Sequence, residues 1–320
     1  MNFDRYLEGL VARRNSGNAS GFQEFAEGIG PVCRAFLSGF GYSRRAATER
    51  TPIMAMNIAL EARQAVPPYS DWLELKLIEE LRDELRCAVE LHNKLVNTTV
   101  VSVPGLDVFS MVRPCHRVGG DLARVYVSKA QTLFALGDGS GDGLYASLIS
   151  GVSLGLLESR ARFSLDVMEI VVSLDDILRD LNVAPAYFTL MLALWDPCKR
   201  TFQFSNNGHP NAPLCSRNGA AFSIWVSGNW LGFPLPRPHS APVPWEVESG
   251  DVVLLYSDGL TGQEGPRGST FGAERLSSAL GRLSHLPARE IAAGLWDEID
   301  SFAGRRPRSD DQSLILAKVL

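Results

Sequence analysis

The chain has 320 residues, of which 45% are hydrophobic and 21% are charged, and this length favours one large domain with a smaller one. The net charge of -5 gives no support for nucleic-acid binding, which usually requires a basic patch, so no nucleic-acid partner is expected. The five cysteines are scattered and odd in number, which argues against a disulfide framework or a zinc site.

Residues 1–5 show no basic region followed by an apolar core, so the sequence predicts no secretory signal. The most apolar long segment, residues 144–157, is shorter than the roughly 20 residues that a membrane span needs, and serines and glycines interrupt it. We therefore expect a cytoplasmic protein without a membrane partner.

Residues 1–66 carry apolar stripes at helical spacing and no catalytic pattern, which predicts a small helical bundle. Residues 72–96 are predicted to form one long amphipathic helix, in which His92 occupies a position where the stripe calls for an apolar residue. Because this segment covers fewer than about four heptads, its periodicity alone favours an ordinary packed helix over a coiled coil. The predicted domains are residues 1–69, a helical linker at 70–99, and residues 100–320.

Beyond residue 100 the sequence alternates short β-rich runs with helical stretches. Several strands are consecutive, which favours antiparallel sheets with helices packed against them, an α+β fold. The predicted strands are 108–112, 125–127, 133–136, 187–194, 201–204, 222–226, 252–256 and 313–319, and the predicted helices are 144–159, 165–181, 271–283 and 288–302.

The glycine-rich stretch 137–143 lies between a predicted strand and a predicted helix and contains Asp138 and Asp142. Glycines allow close backbone approach and aspartates offer hard oxygen ligands, which suggests a metal or phosphate site. An EF-hand loop is excluded because its twelfth position is Ile149, where a bidentate Glu is needed. The stretch also lacks the Gly-Lys-Ser/Thr of a P-loop and the Gly-x-Ser-x-Gly of a serine hydrolase.

Aspartates stand at the edges of four predicted strands, and each lies beside strongly apolar sequence. Singly, an aspartate beside glycine is an ordinary turn former, but an unpaired carboxylate against an apolar strand is costly unless a cation or donors meet it. Carboxylates without His or Cys favour Mg²⁺ or Mn²⁺ over zinc, and two such ions about 3.5–4 Å apart can activate a water for in-line attack on phosphate. The pattern therefore predicts hydrolysis of a phosphate ester. The four sites are Gly119-Gly120-Asp121, Gly137-Asp138-Gly139, Ser257-Asp258-Gly259 and Asp310-Asp311.

Six motifs in order resemble the successive blocks of the SpoIIE/RsbU-type branch of the PPM (protein phosphatase 2C-like) serine/threonine phosphatases. The resemblance runs from about residue 100 to the end of the chain. The motifs are Val118-Gly119-Gly120-Asp121, Leu136 to Gly143, Asn207-Gly208-His209-Pro210, Leu255 to Thr261, Phe271-Gly272 and Asp310-Asp311-Gln312-Ser313.

This resemblance implies an α-β-β-α sandwich of two antiparallel sheets flanked by helices, with a binuclear Mn²⁺ or Mg²⁺ centre at one edge. Asp138 would bridge both metals, and the carbonyl of Gly139 would complete one coordination shell. Asp258 and Asp310 would hold the metals from other strands, and Asp121 would bind directly or through water. Asp138 and Asp258 would act catalytically through the metal-bound water, which attacks phosphoserine or phosphothreonine without a phosphoenzyme.

Two residues depart from the family pattern, and two others are ambiguous. Family members often have His or Lys in place of Asp142 and a second acidic residue in place of Arg124. Asp142 would weaken substrate binding or recruit another cation, whereas Arg124 would pair with phosphate or be a solvated side chain. His209 is predicted to be structural and not a general acid. The sequence leaves open whether Asp311 also contributes to metal binding.

By the same resemblance, the substrate would be a phosphorylated STAS-type anti-sigma factor antagonist in a partner-switching pathway that regulates a sigma factor. Residues 1–69 would form a regulatory or partner-binding domain, and residues 71–97 would support a homodimer. Two alternatives stay open. One is a non-catalytic scaffold that binds a partner through residues 1–97, and the other is a metal-dependent hydrolase of small phosphate esters.

Overall fold

The computed structural model describes residues 69–96, 102–181, 187–233, 238–266 and 268–320, with side chains of the first helix described from residue 76 onward. The chain divides into two units, Met1–Glu84 and Leu85–Leu320. The division falls inside helix α1, Tyr69–Val96, which confirms the long helix predicted at 72–96. The helical bundle predicted for residues 1–66 lies outside the described residues.

The second unit contains two five-stranded sheets in which every strand pair is antiparallel. The first sheet has the order β1 (Leu106–Arg113), β10 (Gln312–Val319), β9 (Val252–Tyr256), β6 (Leu214–Arg217) and β7 (Ala220–Ser223). The second sheet has the order β2 (Asp121–Val127), β3 (Thr132–Gly139), β4 (Phe188–Asp196), β5 (Thr201–Asn207) and β8 (Val243–Glu246).

Helices cover the outer face of each sheet. The second sheet packs on α2 (Gly143–Ala161) and α3 (Val167–Asp180), and the first sheet packs on α5 (Ala273–Leu283) and α6 (Ala288–Ala303). A short helix, α4 (Asp258–Gly262), follows β9. The layers are therefore helix, sheet, sheet and helix, which confirms the predicted α-β-β-α sandwich.

The core between the sheets is built by alternate residues along each strand, because successive side chains of a strand point to opposite faces. Leu136 of β3, Met191 of β4 and Ile315 of β10 all lie in this inner cluster. The residues two positions along, Asp138, Thr189 and Ser313, share that inward face at one end of the sandwich. The same alternation that buries the core thus directs polar side chains into the gap between the sheets at this edge.

One strand prediction was wrong, and three short elements were missed. The run predicted as a strand at 222–226 contributes only its first residues to β7, which forms a hairpin with β6. Asn218 and Gly219 form the hairpin turn with positive φ values of 52° and 81°, and Asn-Gly is the residue pair that such two-residue turns prefer. Strand β6 and helix α4 were not predicted, and β8 was missed because Pro244 lies within it.

Candidate metal centre

Asp121 and Asp138 stand directly opposite each other in the ladder between β2 and β3. Like charges at such a position repel, since opposite Cβ atoms are only about 4.5–5.5 Å apart. Burial, together with the charges of Asp138 and Asp311, raises the pKa of Asp121 well above its ordinary value. Burial and the charges of Asp258, Asp310, Asp311 and Asp142 raise the pKa of Asp138 to about 8. The edge is therefore a site of concentrated negative charge.

Asp258 is the first residue of α4, immediately after β9. Its neighbour Ser257 connects this turn to the start of β10, because the Ser257 hydroxyl donates to the carbonyl of Asp311 at 3.1 Å and accepts from the amide of Ser313 at 2.9 Å. A Cβ on Gly259 would stand 1.9 Å from the Asp311 carbonyl oxygen. This close approach explains why the residue after Asp258 is a glycine. It also holds Asp258 beside Asp310 and Asp311.

The adjacent residues Asp310 and Asp311 have different surroundings. Asp311 is buried, and its carboxylate accepts from the amide of Cys115 at 2.7 Å and the amide of Gly120 at 2.7 Å. Asp310 is exposed, and one of its carboxylate oxygens accepts from the amide of Asp311 at 2.8 Å. The pKa of Asp310 is raised because protein atoms displace part of the water around its carboxyl group and because the charges of Asp258, Asp311 and Asp142 lie nearby. Asp311 thus fixes the backbone amides of Cys115 and Gly120, whereas Asp310 remains exposed.

The two glycines before Asp121 are required by this packing. A Cβ on Gly119 would lie 1.9 Å from an oxygen of the Asp311 carboxylate, and a Cβ on Gly120 would lie 2.9 Å from an oxygen of Asp138. Asp121 then accepts from the hydroxyl of Ser313 at 2.5 Å, a bond that joins the second sheet to the first. The Gly119-Gly120-Asp121 motif therefore meets both Asp311 and Asp138.

The sequence-predicted residues thus lie at the same end of the sandwich, at the strand ends of the second sheet or in the segments that adjoin strands β9 and β10 of the first. They are Asp121, Asp138, Gly139, Asp258 and Asp310. Within the described ranges, no three His, Cys, Asp or Glu side chains form a ready-made cage for one ion. Mg²⁺ does not need one, because it usually keeps several waters and takes one or two carboxylates from the protein. Mutually repelling carboxylates with no His or Cys among them are the donor set that fits such hydrated cations.

Arg124 has a structural position that the sequence did not predict. Its guanidinium forms an ion pair with Glu158 of α2 and donates to the carbonyl of Leu95 near the end of α1 at 3.2 Å. Arg124 therefore joins β2 to helices α1 and α2. Its side chain is neither directed at the aspartates of the candidate site nor freely solvated. Asp142 is exposed at the N-cap position of α2 without a side-chain cap bond, where its negative charge suits the helix dipole.

His92 is a further residue at this edge that sequence reasoning did not assign. It is 7% exposed, and its Nε2 accepts from the amide of Gly119 at 3.1 Å and lies 3.0 Å from the carbonyl of the same residue. In the sequence, His92 is a polar residue within the apolar stripe of α1, and a buried histidine needs a hydrogen-bond partner. This was the signal that could have identified the contact. The C-terminal part of α1 therefore contacts the loop that leads into Asp121.

An α-β-β-α sandwich with aspartates at the edge of both sheets is the arrangement of the PP2C-like class of proteins. The family described as Stage II sporulation protein E (SpoIIE) matches residues 128–320. This match covers more than half of the chain, and the chain belongs to the SpoIIE family.

A curated relative is similar to this chain in sequence. The Phosphoserine phosphatase RsbU of Bacillus subtilis (strain 168) is 21% identical over 184 residues, which are 57% of this chain and 55% of RsbU. The chain thus spans about half the length of this curated relative.

Two solved structures show the fold. The SiaA-PP2C domain of Pseudomonas aeruginosa has a TM-score of 0.68 at 19% identity, covering 77% of this chain and 98% of that domain. RsbX in complex with magnesium has a TM-score of 0.53 at 16% identity, covering 69% of this chain and 99% of RsbX. Among the residues that the structure describes, no helix is long and apolar enough to cross a membrane.

Proposed function

We propose that this protein is a Mn²⁺- or Mg²⁺-dependent serine/threonine phosphatase that releases phosphate from a phosphorylated protein. The observation that carries the proposal is the pair Asp121, which is buried, and Asp138, which is half-buried, directly opposed across β2 and β3. Desolvation and the charge of Asp258, which follows β9 of the other sheet, raise the pKa of Asp138. Membership of the SpoIIE family and the similarity to Phosphoserine phosphatase RsbU support the same activity.

In this proposal the protein binds two divalent ions through few residues. Asp138, Asp258 and Asp310 would hold the ions through their carboxylates, and Gly139 would do so through its carbonyl oxygen. Asp121 binds directly or through water, and its bond to Ser313 fixes the carboxylate. When bound, the ions supply the Lewis acidity that activates a water and binds phosphate oxygens. The magnesium present in the RsbX structure supports this choice of metal.

The remaining residues position these ligands. Asp311 accepts hydrogen bonds from the amides of Gly120 and Cys115. These bonds hold the start of β2, which carries Asp121, beside the start of β10. Ser257 does the same for the turn that carries Asp258. These contacts hold the carboxylates of two sheets at a fixed separation before substrate arrives, which is what an electrostatic site requires.

The proposed substrate is a phosphorylated STAS-type anti-sigma factor antagonist in a partner-switching pathway. The similarity to Phosphoserine phosphatase RsbU supports this proposal. We propose further that residues 1–69 form the regulatory, partner-binding domain, residues 70–99 the linker, and residues 100–320 the phosphatase domain.

A homodimer through residues 71–97 is also proposed, and exposed leucines of α1 support it. Leu77, Leu81 and Leu91 are 56%, 54% and 58% exposed, which is unfavourable for a helix surface that remains in water. Sedimentation of the full chain tests this proposal: replacing Leu77 and Leu81 by Glu is expected to convert a dimer into a monomer. A wild-type monomer across the accessible concentration range would contradict it.

Arg124 and Asp142, the two residues that depart from the family pattern, would favour the alternative of a non-catalytic scaffold. The contacts of Arg124 with Glu158 and Leu95 and the position of Asp142 at a helix start give both residues explanations that do not require loss of activity. A small-ester hydrolase remains an outcome of the substrate test.

The activity test measures phosphate release from a phosphoserine STAS protein and from nucleotides and sugar phosphates, with Mn²⁺ and with chelator. Release from the phosphoprotein is expected only with metal, and Asp138→Asn is expected to abolish it. Activity that survives both chelation and Asp138→Asn would contradict the mechanism. Equal efficiency on small esters would instead favour the alternative function, a metal-dependent hydrolase of small phosphate esters.

A further inference from the structure

His209 lies in the turn after β5 and connects the two sheets. It is 5% exposed, its Nδ1 lies 3.1 Å from the hydroxyl of Thr189 on β4, and its Nε2 lies 3.0 Å from the carbonyl of Tyr256 at the end of β9. Asn206 fixes the backbone of the turn, since its side chain accepts from the His209 amide at 2.7 Å and donates to the His209 carbonyl at 3.0 Å.

These contacts define the tautomer of the ring. The Tyr256 carbonyl can only accept, so Nε2 carries the proton, and Nδ1 then accepts from the Thr189 hydroxyl. Burial lowers the pKa of His209, in agreement with a neutral ring. Both ring nitrogens are therefore engaged within the protein, which leaves neither of them to protonate a leaving group. This geometry agrees with the prediction that His209 is structural.

The two ends of this bridge lie next to two of the candidate metal ligands. Thr189 is the ladder partner of Asp138 across β3 and β4, so the two side chains share one face of the second sheet. Tyr256 is the last residue of β9, and Asp258 begins α4 just beyond it. His209 thus joins the strand beside Asp138 to the strand that leads into Asp258.

We propose that His209 is a positioning residue that sets the separation between Asp138 and Asp258 and so determines the affinity of the site for divalent metal. The inference rests on the proposed metal centre. The bond from Ser313 to Asp121 joins the same two sheets at β10 and β2, but it does not reach β9. Without His209, the turn bearing Asp258 would lose its hydrogen-bonded connection to β4 through Thr189.

The test is titration calorimetry of the full chain with Mn²⁺, comparing wild-type with His209→Phe and Thr189→Val. His209→Phe removes both bonds at similar volume, whereas Thr189→Val removes only the bond on the Asp138 side and keeps the shape of the β-branched side chain. We expect His209→Phe to weaken Mn²⁺ binding about 10–100-fold, as loss of residues that orient metal ligands usually does. Thr189→Val should weaken it less, and His209→Gln should restore part of the affinity through a donor to the Tyr256 carbonyl.

His239 provides a matched control, because it is another largely buried histidine in a hydrogen bond between elements. Its Nε2 lies 3.1 Å from the carboxylate of Asp175 on α3, the helix that covers the outer face of the second sheet. His239→Phe is expected to lower thermal stability without changing Mn²⁺ affinity. The pair of histidine variants therefore separates a loss of stability from a loss of ligand position.

Unchanged Mn²⁺ affinity in both His209→Phe and Thr189→Val would overturn the inference, whatever their thermal stability. A general-acid role would instead leave Mn²⁺ affinity intact, lower kcat at saturating Mn²⁺ and shift the pH profile of kcat, and it would also overturn the inference. Wild-type protein that binds Mn²⁺ but releases no phosphate would contradict the proposed function and leave the comparison of affinities valid. Wild-type protein that binds no Mn²⁺ would overturn both.

Discussion

Asp121 of β2 and Asp138 of β3 face each other directly across an antiparallel ladder, on the side of the sheet that continues the buried core. In a sheet held only by its own contacts this pair would be destabilising, since like charges repel and burial removes water. The Ser313 hydroxyl relieves part of this cost at Asp121. A divalent cation would relieve the rest, so metal and protein stability are expected to be linked at this site.

Replacing Asp138 by Asn should have opposite effects with and without metal. In chelator at about pH 9, above the raised pKa of Asp138, the variant should unfold at the same or a higher temperature than wild-type, because a repelling charge is gone. Mn²⁺ at about 100 times its Kd should stabilise wild-type by about 2.7 kcal/mol and the variant much less. Phosphatase activity should fall at least about 100-fold, since losing a ligand should cost no less than losing a residue that orients one.

Asp142→Asn is the matched control for that experiment, because Asp142 is exposed at the start of α2. It should change stability by less than about 1 kcal/mol and retain the stabilisation by Mn²⁺. A result in which Asp142→Asn loses this stabilisation and Asp138→Asn keeps it would reverse the assignment of the two aspartates.

Asp310→Asn and Asp311→Asn should have different consequences although the residues are adjacent. Asp311 accepts from two backbone amides, so the side-chain NH₂ of Asp311→Asn would face a donor. Chemical denaturation should show that the free energy of unfolding of this variant is lower by about 1–3 kcal/mol. Asp310 is exposed, so Asp310→Asn should hardly change the stability of the metal-free protein but should weaken Mn²⁺ binding. Equal destabilisation by the two variants would show that this division of roles is wrong.

Arg124 is expected to act on stability and not on substrate. Its side chain is 23% exposed and pairs with Glu158, and a double-mutant cycle of Arg124→Met with Glu158→Gln should give a coupling energy of about 0.2–1 kcal/mol. KM for the phosphoprotein should stay within about twofold of wild-type. A tenfold rise in KM, about 1.4 kcal/mol, would instead indicate that Arg124 binds phosphate.

Stability should depend on pH through His209. Because burial lowers the pKa of His209 below its ordinary value of 6.5, the unfolded chain binds this proton more readily than the folded protein. The associated stability is therefore present above about pH 6.5 and is lost as the pH falls through the folded-state pKa. Denaturation of wild-type and His209→Gln in chelator should show a difference in free energy of unfolding that shrinks as the pH falls below about 6.5. A difference that is constant or grows would contradict a buried neutral ring.

The sequence predicted those parts of the fold that depend on local pattern. Strand β9 is an unbroken apolar run, and its observed bounds, Val252–Tyr256, are the predicted ones. Helices α2 and α3 were also found at nearly the right bounds, because strong apolar periodicity identifies long elements. Strand β6 was missed although Asn218-Gly219 marks its hairpin, since four residues are too few to show a period.

The roles of neighbouring polar residues could not be predicted in the same way. Asp310 and Asp311 are the same residue type, and they are distinguished by the amides of Cys115 and Gly120, which approach Asp311 from a distant part of the chain. Arg124 and Glu158 likewise meet only after β2 and α2 have packed. His92 stood out as a polar residue in an apolar stripe, but its partner, Gly119, is defined by tertiary structure.

We expect Asp138 to be shared by two divalent ions at the edge between the sheets. Anomalous diffraction from crystals of the protein grown with Mn²⁺ is the decisive test of this sharing. We predict two Mn²⁺ peaks about 3.5–4 Å apart, with the Asp138 carboxylate between them and Asp258 and Asp310 on the side of the first sheet. An occupied Mn²⁺ site elsewhere, with Asp121 and Asp138 free of metal at saturating Mn²⁺, would show that Asp138 does not bind the metals.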